Sequence, residues 1–228
     1  MHERSVEGIV LKSQPFKDSG RILRVFTAEK GMITLFIKDL SKRHLLMTNL
    51  TSPLCRAKFI LQKRRSELYH LIDGTIVDLH MQLRRSYTCL QFAGKMLHAI
   101  TSSQMPGKPT PLLYALLTKY LKQLAHFHDP MPLWSSFQLK ILQHEGVLSL
   151  DAHCLCCHKE RASCISQGES RCMQCNREST LYFSSQEWKL LLQFLRAKKF
   201  EELKNIKIGS KMEQAIDKIY TSYLRTDP

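Results

Sequence analysis

Four cysteines at two fixed spacings are the residues of this 228-residue chain best suited to chemistry. Cys154-x2-Cys157 and Cys172-x2-Cys175 are separated by fourteen residues. Two residues between cysteines let a tight turn aim both thiolates at one point, with backbone amides placed to donate to the sulfurs. Two such turns supply four soft ligands at about 2.3 Å in a tetrahedral array, which suits Zn²⁺. The intervening segment, with Gly168 and a short polar stretch, is close to the spacing of a zinc ribbon. His153, Cys156, His158 and Cys164 are neighbouring competitors, but Cys154, Cys157, Cys172 and Cys175 alone satisfy both spacings and are the expected ligands. Four thiolates leave no open position for water or substrate, so the expected role of the metal is structural.

Six of the eight cysteines fall within this cluster, which reads as metal binding rather than as a disulfide framework spread over a domain. The other two, Cys55 and Cys89, stand in apolar surroundings and are expected to be buried small hydrophobes.

A basic stretch is the second constellation. Lys38, Lys42, Arg43, Arg56, Lys58, Lys63, Arg64 and Arg65 face the single acid Asp39, and Lys12, Lys17, Arg21 and Arg24 add to the same module. Cations on the solvated face of a small barrel would follow a phosphate backbone, with Phe16, Phe36 and Tyr69 as candidate stacking surfaces. The whole chain carries +14 at pH 7 with a pI near 9.5, which favours polyanionic partners over a neutral small substrate. No helix resembles a base-reading one, so weak sequence preference is expected.

Catalytic motifs are missing from the sequence. Gly94-Lys95 and Gly107-Lys108 lack the first Gly of a phosphate-binding loop, and His144-Glu145 lacks the second His of a zinc protease helix. Gly168-Glu169-Ser170 lacks the closing Gly of a nucleophile elbow. Asp73, Asp78 and His80 could be imagined as a Mg²⁺ nuclease cluster, but read better as strand-edge carboxylates.

These residues need elements to hold them. Five short runs in residues 1–80 read as strands: 6–12, 21–27, 32–37, 54–62 and 68–77. Gln14 to Gly20 is a loop by composition, and Ala28 to Gly31 a hairpin turn. In the fourth run Cys55, Ala57, Phe59 and Leu61 alternate with Arg56, Lys58 and Gln62, the period of a strand buried on one face. Five such strands suit a closed barrel of the OB type.

After Asp78 the periodicity is helical: 81–101, then a helix opening at Thr110-Pro111 and running to about 127, then 133–145. Ser184 to Glu187 has capping-box spacing, followed by Trp188, Leu191, Leu192 and Leu195 on one face, and a last helix spans about 210–223. The fold class is therefore α+β: an OB-type barrel (1–80), a helical domain in two parts (81–150 and 181–228), and between them a zinc-ribbon-like insert (151–180). The longest apolar run, Leu112 to Leu117, is far short of a membrane span, and Met1 to Glu7 has no apolar signal region, so a reducing cytoplasm is the expected compartment.

Taken in order, the motifs resemble a known family, the bacterial recombination mediator RecO. Gly8-Ile9-Val10-Leu11-Lys12, then Arg21 to Thr27 with Lys30-Gly31, look like its opening strands, and Ser66 to Leu71 is similar to the strand closing its barrel. Phe137 to Leu142, Gly146 and Cys154-x2-Cys157 look like its helix-to-zinc junction; Gly168, Cys172-x2-Cys175 and Leu181 to Ser184 match the exit. The chain departs from the family where a Gly-rich basic turn is replaced by Lys38 to Arg43, and where the Gly after the first cysteine pair is His158.

The resemblance implies a non-enzymatic, nucleoid-associated mediator of DNA repair and recombination. Such proteins bind single- and double-stranded DNA, anneal complementary strands, act with RecR and help RecA load on strands coated by single-strand binding protein. The acidic C-terminal tail of that protein would need a basic, partly apolar helical surface, for which Lys119, Lys122 and Lys140 are candidates. The competing reading from a different class is a zinc-ribbon protein-interaction adaptor without a direct DNA role.

Overall fold

Cys55, Ala57, Phe59 and Leu61 are all buried, whereas Lys58 is exposed and Arg56 and Gln62 are half-buried, and this alternation builds the fourth wall of a closed barrel. The structure, a computed structural model, describes residues 3–17, 20–38, 44–63, 68–159, 162–176 and 181–224. It divides into two compact units, Met1–Ala125 and His126–Pro228.

In the first unit, strands β1 (Glu3–Phe16), β2 (Gly20–Thr27), β3 (Gly31–Ile37), β4 (Arg56–Lys63) and β5 (Tyr69–Asp78) close in the order β1-β2-β3-β5-β4. The chain reverses antiparallel between β1, β2 and β3, and again between β4 and β5 and between β4 and β1. The seam is the parallel pair β3–β5, held by Leu35 opposite Tyr69 and Phe36 opposite His70. Leu23, Val25, Leu35, Phe59 and Leu61 fill the interior, each contributing roughly 1.5–3 kcal/mol by leaving water.

β1 runs further than its composition suggests, because Pro15 pairs with Arg21 and Phe16 with Gly20. Beyond Val10, which still bonds to Cys55 and Leu54, only β2 flanks β1, so the missing amide of Pro15 breaks no ladder on the other edge. The irregular stretch before β4 contains a helix, α1 (His44–Leu50), whose Met47 and Leu50 enter the barrel core. Leu50 backs onto β5 where Gly74 leaves room: a methyl there would lie 3.0 Å from Leu50 Cδ2.

The helix expected over 81–101 is two, α2 (Met81–Arg84) and α3 (Tyr87–Ser103). The Ser86 side chain accepts from the Cys89 amide and starts the second afresh. α4 (Pro111–Leu124) opens at Thr110-Pro111 as expected, but the Thr110 hydroxyl makes no cap bond and has no partner among the described residues. α3 and α4 lie against β1 and β2.

In the second unit, α5 (Met131–His144) carries Pro132 in its first turn, where a missing amide costs nothing, so the helix begins earlier than the two prolines suggest. It packs against α6 (Ser185–Arg196), the short α7 (Glu201–Lys204) and α8 (Ser210–Leu224). The capping box forms: Glu187 N–H donates to Ser184 Oγ at 3.3 Å, and Ser184 N–H to Glu187 Oε2 at 2.8 Å. The buried face of α6 is Trp188, Leu191, Phe194 and Leu195, with Leu192 only half-buried. Between α5 and α6 a two-stranded hairpin, β6 (Cys164–Ser166) and β7 (Glu169–Arg171), carries the second part of the cysteine segment. No described helix is long and apolar enough to cross a membrane.

Candidate metal centre and nucleic-acid interface

The Sγ atoms of Cys154, Cys157, Cys172 and Cys175 lie within 4.8 Å of one another. Cys157 and Cys172, from the two separate turns, approach to 3.8 Å. Tetrahedral ligands at about 2.3 Å have an edge of about 3.8 Å, so this pair already has the spacing of a thiolate–zinc centre. The turns are closed by backbone bonds from His158 N–H to Cys154 O (2.8 Å) and from Cys175 N–H to Cys172 O (3.0 Å). Burial pushes the Cys154 thiol up, but amides of Cys157, Cys156 and Cys172 outweigh it and bring the thiol down to about 6. Cys172 is likewise lowered against its burial, by the Cys175 and Gln174 donors. Amides aimed at sulfur stabilise thiolates at Cys154 and Cys172, while Cys175, hydrogen-bonded to Cys172 and Cys157, is pushed up.

Two of the competing ligands are engaged elsewhere: His153 Nδ1 lies 2.9 Å from Asp151 Oδ1, and Cys164 directs its thiol to Arg171 O at 3.3 Å, whereas the exposed Cys156 meets Cys175 and Arg171 at the rim of the cluster. His158 holds φ at 57°, the left-handed region a glycine takes without strain. Asp73, Asp78 and His80 form no ligand group among the described residues.

Asp151 fixes the segment to α6 and was not singled out in the sequence. Its carboxylate meets Arg196 Nη2 at 2.7 Å, its carbonyl accepts from Trp188 Nε1 at 3.0 Å, and its amide donates to the buried Ser170 Oγ at 2.7 Å. Hydrogen bonds from His153, with the Arg196 guanidinium, hold the carboxyl down to about 2. The hairpin turn of Gln167 and Gly168, both at positive φ, presses Gly168 against the Val147 carbonyl, and any Cβ there would lie closer than 3.0 Å to it.

On the barrel, Lys12 and Arg24 are direct cross-strand partners, and Arg24 faces Thr34 on β3. Both are exposed, and neither has an ion-pair partner among the described residues. Like charges opposite each other destabilise a sheet by roughly 0.2–1 kcal/mol, so this juxtaposition does not stabilise the fold. Arg21 donates to Ser13 Oγ at 3.1 Å, and Lys38, Lys58 and Lys63 are exposed. Lys42, Arg43, Arg64 and Arg65 lie outside the described residues.

Arg56 has an internal task. Its Nε and Nη2 donate to Glu7 Oε1 at 2.8 and 2.6 Å, and Tyr114 of α4 donates to the same oxygen at 3.1 Å. Burial pushes the Glu7 carboxyl up, but Arg56 outweighs it and holds the group below the usual range; burial and the Glu7 charge push Tyr114 up to about 12. Arg56 thereby ties α4 to the barrel. Lys119 and Lys122 are exposed on α4, while Lys140, in the other unit, is half-buried and donates to Ala197 O at 2.6 Å.

The barrel is of the OB type, and the helical unit that follows it in the chain carries a four-cysteine cluster. Residues 1–80 match the family Recombination protein O N terminal, and residues 84–227 match Recombination protein O C terminal. The chain belongs to the recombination protein O family. Similar proteins include the DNA repair protein RecO of Chlamydia muridarum (strain MoPn / Nigg), 28% identical over 95% of this chain and 94% of the relative. The DNA repair protein RecO of Chlamydia trachomatis serovar L2 is 29% identical over 96% and 92%, and that of Caldicellulosiruptor saccharolyticus 22% identical over 96% and 91%. Membership carries a role in DNA repair and recombination.

Proposed function

We propose that this chain is a recombination mediator rather than an enzyme. It binds single- and double-stranded DNA, anneals complementary strands, and with RecR helps load RecA onto strands coated by single-strand binding protein. The observation that carries the reading is the uncompensated pair of Lys12 and Arg24 on the outer face of β1 and β2. Phosphates laid across that pair relieve its repulsion, and Arg21, Lys38, Lys58 and Lys63 extend the field, with Lys42, Arg43, Arg64 and Arg65 contributing from the adjoining sequence. Arg56 acts in this scheme mainly by holding α4 through Glu7. Two strands screened on one basic surface lose their mutual repulsion and can nucleate pairing without nucleotide hydrolysis.

Cys154, Cys157, Cys172 and Cys175 would hold a structural Zn²⁺, which when bound supplies a fixed crosslink and no open coordination site. The acidic tail of single-strand binding protein would meet Lys119 and Lys122, with Lys140 the weaker contributor because its ammonium is already bonded to Ala197. The division of labour is barrel (1–80) for DNA and helical parts (81–150 and 181–228) for partners, with residues 151–180 as the metal-held insert, and the protein works beside the nucleoid in the cytoplasm.

The test is the double reversal Lys12→Glu/Arg24→Glu. Its affinity for a single-stranded oligonucleotide at 50 mM salt should fall at least about tenfold. The slope of log affinity against log salt should shrink by about 1.4, two phosphates at about 0.7 each. An unchanged slope in a folded variant would remove this face from the interface.

A further inference from the structure

One end of the barrel gathers aromatic rings that lie far apart in the sequence. Phe16 ends β1, Phe36 lies near the end of β3, and Tyr69 and His70 begin β5. Phe16 and Phe36 meet edge to face at 5.6 Å and 88°, and Phe36 and His70 at 5.3 Å and 87°. Edge-to-face contact fixes each ring's orientation without covering both of its faces. Phe16 keeps 38% of its surface exposed on the outer face of the barrel.

Lys17 Nζ sits 5.6 Å from the Phe16 centroid, and its backbone holds φ at 54°, a conformation that favours glycine. Tyr69, opposite the buried Leu35, instead packs on the barrel core, where Lys63 and Lys30 approach its ring to 5.8 and 5.9 Å. Arg21 and Lys38 flank the same end, since Arg21 pairs with Ile37, the residue before Lys38.

We propose that this rim is a stacking site for an unpaired nucleobase, so that the barrel grips single-stranded nucleic acid more tightly than duplex. The inference rests on the DNA-binding reading above and adds the form of the ligand. The Lys12 and Arg24 row meets phosphates, which both forms present, whereas a ring face flanked by ammonium groups is satisfied only by a base that is out of its stack. A base that pairs leaves the rim and keeps only the phosphate contacts. The barrel therefore loosens its hold as annealing completes, and duplex leaves without an energy source.

The experiment uses the full chain with a single-stranded oligonucleotide carrying one 2-aminopurine, and the duplex of the same sequence. Phe16→Leu keeps an apolar contact for Phe36 but removes the ring; Phe16→Tyr keeps the ring. For Phe16→Leu the single-strand affinity should drop about tenfold, the duplex affinity should hold, and quenching of 2-aminopurine on binding should be lost. Phe16→Tyr should restore all three. Equal losses for both DNA forms, or unchanged single-strand affinity in Phe16→Leu while Lys12→Glu/Arg24→Glu still weakens binding, would overturn the stacking site and leave the DNA-binding reading standing. Failure of the double reversal itself would overturn that reading instead.

Discussion

Replacing Cys172 with serine is expected to strip the metal and unfold the segment between α5 and α6. Serine is a hard, neutral ligand that cannot replace a buried thiolate, and three remaining cysteines cannot close the tetrahedron. Structural zinc in finger peptides is worth roughly 10–16 kcal/mol at pH 7, far more than this small segment can recover from its own burial. The links through Asp151 to Trp188 and Arg196 hold its entry, and the bond from Phe183 N–H to Ser163 O ties its hairpin to the chain leading into α6. Zinc content should fall from about one ion per chain to none. Limited proteolysis should open residues 151–176 while the unit formed by residues 1–125 stays protected. Retained zinc with an unchanged cleavage pattern would show that another ligand set holds the metal.

Replacing Gly31 with alanine should be the most damaging single methyl in the barrel unit. Gly31 opens β3 at φ 63°, and a Cβ would stand closer than 3.0 Å to both the carbonyl carbon and oxygen of Lys108. That approach exists because the loop between α3 and α4 lies along β3: Pro106 bridges Met32, and Gly107 N–H donates to Met32 O at 3.0 Å. The buried Thr27 hydroxyl closes the turn by donating to Gly31 O at 2.9 Å and accepting from Lys30 N–H at 3.1 Å. Alanine pays about 1–2 kcal/mol for the left-handed backbone and also drives the loop off the strand, about 3–4 kcal/mol together. At 2–4 °C per kcal/mol for a chain of this size, Tm should fall by about 10 °C, read by circular dichroism. A Tm within about 2 °C of the parent would mean the loop does not sit on β3 in solution.

What was legible in advance came from interactions local in sequence. The cysteine turns need only two intervening residues, the β4 alternation needs only neighbours, and the Ser184–Glu187 box spans a single turn. Where the reading fell short, the missing partner was distant. Arg56 looks like a free cation until Glu7, 49 residues away, is brought across from β1, and Lys140 until Ala197 is placed beside it. His70 drew no notice because its ring matters only once the parallel β3–β5 seam sets it on Phe36. The helix α1 was hidden in a stretch whose Met47 and Leu50 show their purpose only against the closed barrel. Asp151 carried no motif; its anchors, Ser170, Trp188 and Arg196, lie 19 to 45 residues away.

The most direct test of the central claim is to add the purified protein to two complementary labelled oligonucleotides coated with single-strand binding protein, and to follow duplex formation without nucleotide. The account predicts faster pairing that is lost as salt rises, is weakened in Lys12→Glu/Arg24→Glu, and leaves both strands intact. No acceleration by a folded, zinc-loaded protein would contradict it.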